Sequence, residues 1–102
     1  VLVDPALRRV GQNHKYDALV LRGNGLHLPP ISFDTMIASF TVHGAARRHN
    51  LDDLALTYFG MKKIPTSELL GRGAKQITMD QVPIAKVAEY ACEDADVTWR
   101  LY

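Results

Sequence analysis

The last twenty residues carry the clearest pattern of hydrophobic and polar positions in the chain. Five of them recur at spacings of three or four residues and therefore share one helix face: Val87, Tyr90, Asp94, Val97 and Leu101. Pro83 suits a first helical position, where a missing backbone N–H costs nothing, and no Gly or Pro follows it. The pattern predicts one helix over residues 83–102, about five turns long.

Asp94 places a carboxylate in the middle of this apolar face. A buried carboxylate without a partner is costly, so a cation, a metal ion or hydrogen-bond donors should lie opposite it. Tyr90 lies one turn earlier and points the same way. Helix geometry alone favours the ordinary explanation, in which Asp94 is a structural carboxylate that contacts an arginine or a water molecule.

The first part of the chain predicts a helical turn, a short strand and a helix. The turn begins at Asp4 and Pro5, and the strand covers residues 9–12. The helix begins near Asn13 and ends at residues 23–25, which read Gly-Asn-Gly. Asparagine is a common N-cap, and an acidic side chain in a first turn complements the helix dipole. Position alone therefore favours structural roles for Asn13 and for Asp17 in that first turn.

The middle of the chain predicts a second short strand and three helical segments. The strand covers residues 31–33, and Asp34 and Thr35 cap a mostly apolar helix over residues 36–42 that we expect to be buried. Asn50 caps the next helix, which ends at Gly60 and has a predicted inner face of Leu51, Leu54, Ala55 and Tyr58. A single helical turn follows, from Thr66 or Ser67 to Leu70.

These elements predict a helix-rich α/β piece with very few strands. One or two short strands do not make a stable sheet, so we expect further strands of the same fold to lie upstream. The chain begins with Val rather than Met and ends within a helical pattern, which is typical of a piece of a longer protein. An open sheet edge would favour self-association of such a fragment.

Composition narrows the class of protein only slightly. The 102 residues are 47% hydrophobic with a net charge of +1, enough for one small core. The single cysteine, Cys92, excludes an internal disulfide and suits a reducing compartment. No run of 18 apolar residues predicts a membrane span, and no signal peptide is visible.

Five separated blocks resemble, in the same order and with the same spacing, the proofreading 3′-5′ exonuclease domain of bacterial DNA polymerase I, a family A polymerase. They are GQNHKYD at 11–17, FDTM at 33–36, RRHNLDDLA at 47–55, the GRGAKQ–T segment at 71–78 and YACEDADVT at 90–98. The resemblance runs from about Val10 to the end of the chain. It implies a ribonuclease-H-like fold of the DnaQ type, with a mixed sheet flanked by helices.

The resemblance implies functional roles for residues to which their position in the chain alone gave structural roles. The family motif Asn-x-x-x-Tyr/Phe-Asp matches Asn13, Tyr16 and Asp17, and the motif Tyr-x-x-x-Asp matches Tyr90 and Asp94. By resemblance, two Mg²⁺ or Mn²⁺ ions take part, about 4 Å apart. Asp94 would ligate the ion that activates water, Asp17 would serve the other ion, and Tyr90 would orient the attacking water.

The implied substrate is the 3′ end of single-stranded DNA, and the implied partner is the polymerase domain of the same parent chain, in a bacterial cytoplasm and away from any membrane. Asn13 and Tyr16 would position the terminal nucleotide, and Arg48 would hold a phosphate near the 3′ end. Four further basic residues either extend this contact or are ordinary surface charge: Lys62, Lys63, Arg72 and Lys75.

The first motif of the family, Asp-x-Glu on an upstream strand, does not occur in this sequence. Because that motif supplies two of the four metal carboxylates, we expect the 102-residue piece to be inactive alone. Two alternatives stay open: a ribonuclease D-type or Werner-type 3′-5′ exonuclease, and an inactive structural or DNA-docking domain. The FDTM and GRG–T blocks favour the polymerase, and the presence of Asp17, Tyr90 and Asp94 argues against lost activity.

Overall fold

The computed structural model describes residues 2–102, which form two short strands and five α-helices. In chain order they are β1 (Val10–Gly11), α1 (His14–Gly23), β2 (Phe33–Asp34), α2 (Thr35–His43), α3 (Leu51–Phe59), α4 (Thr66–Leu70) and α5 (Ile84–Leu101). Short 3₁₀ turns lie at Gly44–Ala46, Gly73–Lys75 and Met79–Gln81. The predicted helix-rich α/β class is confirmed, and it is consistent with a ribonuclease-H-like fold.

The two strands place the beginnings of two helices side by side. β1 pairs with β2 in parallel, with Val10 opposite Phe33 and Gly11 opposite Asp34. Parallel strands bring their carboxyl ends to the same edge, and α1 and α2 begin directly after them. The absence of a side chain at Gly11 lets Ile31 and His14 pack closely against β1, because a Cβ there would lie 2.8 Å from Ile31 Cδ1 and 3.0 Å from His14 Cβ.

The hydrophobic core is small and lies where α5 packs against α3 and β1. The buried apolar residues are Leu54, Ala55, Leu69, Val82 and Val97. An apolar cleft of about 330 Å³ remains open between α2, α3 and α5. The radius of gyration is 15.0 Å, against about 13 Å for a compact domain of this size. The described residues therefore pack as a scaffold with open apolar faces.

Most helix boundaries follow the predicted caps. Asp34 accepts hydrogen bonds from the backbone N–H groups at the start of α2, and Asn50 does the same for α3. Gly60 ends α3 with φ 63°, the left-handed conformation that glycine adopts without strain. In α5, Val97 is fully buried and the other members of the predicted face are partly buried. The local sequence signals were sufficient for these elements.

Two predictions about the scaffold were wrong. Helix α2 is not a buried apolar helix, because only Thr35 and Ser39 are buried whereas Ile37 and Val42 are 63% and 73% exposed. Tyr58 was predicted on the inner face of α3 and is exposed. The predicted turn at Asp4 and Pro5 is present, since the Asp4 carbonyl accepts a hydrogen bond from the Leu7 N–H at 3.3 Å and the Asp4 carboxylate accepts one from the Ala6 N–H at 2.9 Å. No helix within residues 2–102 has the length and apolar character needed to span a bilayer.

Candidate functional site

The Asn-x-x-x-Tyr-Asp segment begins at Asn13, in an unusual backbone conformation. Asn13 is the N-cap of α1 with φ 56° and ψ 41°, a left-handed geometry that asparagine tolerates better than most residues. Its side chain makes no capping hydrogen bond, which corrects the expectation of an ordinary cap. Instead, the backbone N–H groups of Asn13 and His14 donate to the buried carboxylate of Asp34, at 3.1 and 2.8 Å.

The next two motif residues lie on the exposed surface of α1. Tyr16 is 66% exposed, which leaves its ring available to stack on a ligand. Asp17 is exposed in the first turn, as predicted. Both side chains are therefore accessible from solvent, directly after the segment that Asp34 holds.

Asp94, the carboxylate of the Tyr-x-x-x-Asp motif, faces a buried lysine. Lys63 Nζ lies 3.1 Å from Glu93 Oε1 and also contacts Asp94 Oδ1. The Glu93 carboxylate additionally accepts the Ile64 N–H at 2.8 Å. The prediction that a cation, metal ion or donor lies opposite Asp94 is confirmed, and the partner is an ammonium group.

Lys63 was predicted among four basic residues that contact DNA or form ordinary surface charge, and the structure contradicts both alternatives. Its side chain is 1% exposed, because it lies beneath the carboxylates of α5. A buried ammonium that is paired in this way cannot reach a phosphate at the surface. Lys62, Arg72 and Lys75 are exposed, so they remain available to a polyanion.

Tyr90 is held from two sides. Its hydroxyl is hydrogen-bonded to the Thr66 hydroxyl at 3.0 Å, at the beginning of α4. Its ring lies 5.3 Å from Lys63 Nζ, within the range of a cation–π contact. Tyr90 and Asp94 are therefore both fixed by the segment that joins α3 to α4.

The environment of Lys63 changes its proton affinity. Burial lowers the pKa of Lys63, but hydrogen bonds and charge from Asp94 and Glu93 outweigh burial and raise the pKa above the ordinary 10.5. The ammonium form therefore persists to higher pH in the folded chain than in the unfolded one.

This raised pKa gives the stability of the fold a pH dependence. The stabilisation is fully present below the ordinary pKa of 10.5 and is lost as pH rises through the higher folded pKa. We expect the difference in unfolding free energy between the native chain and Lys63→Met to shrink as pH rises above 10.5 and through the higher folded pKa. Urea titrations followed by circular dichroism measure it. Lys62→Met, an exposed neighbour, is the control, and an equal change in both variants would contradict the prediction.

The loop that carries Arg48 is anchored through the residue that follows it, His49. The ring of the neighbouring His49 is hydrogen-bonded to Ser39 Oγ at 2.8 Å and to the Gly44 carbonyl oxygen at 2.6 Å. The His49 carbonyl accepts a hydrogen bond from Gln12 Nε2 at 2.8 Å. Gln12 directly precedes Asn13, so the exposed Arg48 is tied to the segment that begins α1.

The described residues do not assemble a metal site by themselves. Across residues 2–102 there is no group of three or more His, Cys, Asp or Glu side chains that could hold a metal ion. The two motif carboxylates lie on different helices, Asp17 on α1 and Asp94 on α5. Their chemistry nevertheless fits, because carboxylate oxygens are the ligands that Mg²⁺ and Mn²⁺ prefer.

Sequence reasoning missed three residues that organise the site. Asp34 was recognised only as the cap of α2, Gln12 received no role, and Lys63 was placed at the surface. The sequence offers one signal for the first two, since both lie within the blocks shared with the exonucleases. It offers none for Lys63, whose partners are some thirty residues away.

An α/β scaffold with Asn-x-x-x-Tyr-Asp on one helix and Tyr-x-x-x-Asp on another has the features of the 3′-5′ exonucleases. A sequence model described as 3′-5′ exonuclease matches residues 1–102, and the chain belongs to that family. The resemblance seen in the sequence is thereby confirmed.

Curated relatives of this chain include DNA polymerase I from several bacteria. It is 43% identical over 104 residues to DNA polymerase I of Pseudomonas aeruginosa, an alignment that covers 100% of this chain and 11% of that polymerase. It is 36% identical over 102 residues to DNA polymerase I of Rhizobium leguminosarum, covering 100% of the chain and 10% of that protein. It is 38% identical over 100 residues to DNA polymerase I of Chloroflexus aurantiacus, an alignment that covers 96% of this chain and 10% of that protein. The chain spans about a tenth of the length of these curated relatives.

Proposed function

We propose that this chain is part of the proofreading 3′-5′ exonuclease of a bacterial DNA polymerase I, which hydrolyses phosphodiester bonds at the 3′ end of single-stranded DNA. The observation that carries the proposal is the family match over residues 1–102, together with five motif residues at the matching positions. They are Asn13, Tyr16, Asp17, Tyr90 and Asp94.

The surface around α1 suits the end of a single DNA strand. Tyr16 presents an exposed aromatic ring, on which an unpaired base can stack. The Asn13 side-chain amide makes no capping hydrogen bond, so it is available to bind a nucleotide. Arg48 is exposed on a loop that is anchored through His49, and a guanidinium is well suited to bidentate binding of a phosphate.

We propose that Asp17 and Asp94 supply part of the ligand set for two Mg²⁺ or Mn²⁺ ions. The remaining carboxylates would come from outside residues 2–102, which hold no complete group. Such ions, when bound, stabilise charge on the attacking and leaving oxygens of a phosphodiester. The Asp94 side chain is 36% exposed despite its contact with Lys63, so part of the carboxylate remains open to a ligand.

Tyr90 would act by holding a water molecule rather than by taking its proton. A phenol with an ordinary pKa of about 10 is a poor base near neutral pH. Its hydroxyl is fixed by Thr66, and a fixed hydroxyl can both donate and accept. Tyr90 therefore suits the task of orienting a nucleophile beside Asp94.

The open apolar faces of the scaffold support the proposal that the chain works within a larger domain. Only five apolar residues of the described chain are buried, and large side chains on α1 and α2 are exposed. Restoring the rest of the domain would cover these faces and complete the carboxylate set. We therefore propose that residues 1–102 are inactive when isolated and active within the complete domain. The alternative is a domain that binds DNA and has no activity even in the longer protein.

A digestion assay with single-stranded DNA tests this function. A 5′-labelled oligonucleotide is incubated with Mg²⁺ and either the longer protein that carries this chain or residues 1–102 alone. We expect the longer protein to shorten the strand stepwise from its 3′ end and the isolated chain to leave it intact. An oligonucleotide with a blocked 3′ end is the control. DNA binding without digestion by the longer protein would instead support the docking alternative, and digestion by residues 1–102 would contradict the proposed inactivity.

A further inference from the structure

One buried carboxylate joins the beginnings of two helices. Asp34, at the end of β2, is 8% exposed and accepts four backbone N–H groups. Its Oδ1 accepts from Asn13 at 3.1 Å, from Met36 at 2.9 Å and from Ile37 at 3.3 Å. Its Oδ2 accepts from His14 at 2.8 Å. The carboxylate thus contacts the starts of both α1 and α2.

Capping of α2 accounts for only half of these bonds. A cap needs an acceptor for the second and third helical N–H groups, and the Met36 and Ile37 bonds provide that. The other two bonds reach back 21 and 20 residues, to the segment that begins α1. A serine or asparagine could cap α2 equally well. The second carboxylate oxygen is needed only for α1.

The start of α1 depends on this carboxylate. Asn13 is left-handed and its own side chain makes no capping bond, and Asp34 instead accepts the N–H groups of Asn13 and His14 at this end of the helix. Bonds from N–H groups to an ionised carboxylate are stronger than those to a neutral acceptor. Gly11 lies opposite Asp34 in the register of the two strands from which both helices start.

We propose that Asp34 is a positioning residue for the exonuclease reaction, a role that rests on the proposed function. It sets the place of Asn13, Tyr16 and Asp17 relative to the sheet, and it touches neither substrate nor metal. A displacement of α1 by about 1 Å would cost a reaction of this kind roughly a hundredfold in rate. Asp34 therefore acts on catalysis through the motif residues that follow its two α1 contacts.

Two variants separate this role from helix capping. Asp34→Ser keeps a hydroxyl that can cap α2 but is too short to reach α1. Asp34→Asn keeps one acceptor oxygen and turns an NH₂ group toward the His14 N–H, where no hydrogen bond can form. Asn50→Ala is the matched control, because it removes the cap of α3 and leaves the Asp34 contacts intact.

The variants are compared in the longer protein that carries this chain. Hydrogen exchange measured by mass spectrometry follows the backbone amides of residues 12–17, steady-state digestion of single-stranded DNA gives kcat and KM, and urea unfolding gives stability. In Asp34→Ser we expect the backbone amides of residues 12–17 to exchange at least about tenfold faster than in the native protein. We expect its kcat to be roughly a hundredfold lower. Asp34→Asn should fall between Asp34→Ser and the native protein. Asn50→Ala should lose about as much stability as Asp34→Ser. Its amide exchange rates at residues 12–17 and its kcat should remain those of the native protein.

Native exchange at residues 12–17 together with native kcat in Asp34→Ser would overturn the proposal, since Asp34 would then be a cap of α2 only. Equal loss of kcat in Asn50→Ala would also overturn it, because general destabilisation would explain both variants. Absence of digestion by the native protein would reject the proposed function instead. In that case the hydrogen exchange still decides whether Asp34 fixes α1.

Discussion

Replacement of Asp94 by asparagine should lower the rate of 3′-end digestion by about 10³-fold in the longer protein that carries this chain. On the proposed role of Asp94 as a metal ligand, its loss removes charge stabilisation worth several kcal/mol, and each 1.36 kcal/mol is tenfold in rate. Asparagine is preferred to alanine, because its amide oxygen can still accept a hydrogen bond from Lys63. The folded structure is therefore expected to survive while the activity is lost.

Calorimetric titration with Mn²⁺ provides a readout of Asp94 that is independent of activity. The native protein should bind Mn²⁺, and Asp94→Asn should weaken or abolish one site. Asp96→Asn is the matched control, because Asp96 lies on the same helix and pairs with Arg100 on the exposed side at 2.9 Å. Unchanged Mn²⁺ binding and unchanged digestion in Asp94→Asn would make Asp94 a structural carboxylate and contradict its proposed role as a metal ligand.

Replacement of Lys63 by methionine should destabilise the fold by about 2–3 kcal/mol. Methionine preserves most of the buried volume, so the loss comes from the two carboxylates left without their cation. Removal of one partner from a fully buried pair costs about 3–5 kcal/mol. The expected value is lower, because the side chains of Glu93 and Asp94 are 18% and 36% exposed and water screens part of the charge.

Urea unfolding near neutral pH measures this loss, with Lys62→Met as the exposed control. A double-mutant cycle of Lys63→Met with Glu93→Gln isolates the contribution of the pair, since the two residues are in contact. A coupling energy near zero, or equal destabilisation by Lys62→Met, would show that Lys63 is held by its methylene groups rather than by its charge.

Local rules predicted the helices well. Asp34, Asn50 and Gly60 act where a cap or stop residue is expected, because capping involves groups only two or three residues apart in the chain. The face of α5 was predicted for a similar reason, since helical spacing is a property of the chain itself. The need for a partner at Asp94 also followed from the sequence, because an unpaired carboxylate in an apolar stripe is costly in any fold.

Burial was predicted poorly where it depended on neighbours. Helix α2 is apolar in sequence, yet Ile37, Phe40 and Val42 are exposed, because nothing within residues 2–102 packs over that face. An apolar side chain indicates that a partner is favourable and does not indicate which segment supplies it. The same limit explains Tyr58 and the small core around Leu54 and Val97.

By itself the sequence determined the family, the five motif residues, the helix boundaries and the need for a charge opposite Asp94. The tertiary structure alone decided that Lys63 supplies this charge, that Asp34 holds the start of α1, and that Gln12 anchors the loop of Arg48. These contacts join residues between twenty and thirty-seven positions apart. Which of many similar polar residues meet across such separations is fixed only when strands pair and helices pack, because local propensity carries no information about long-range neighbours.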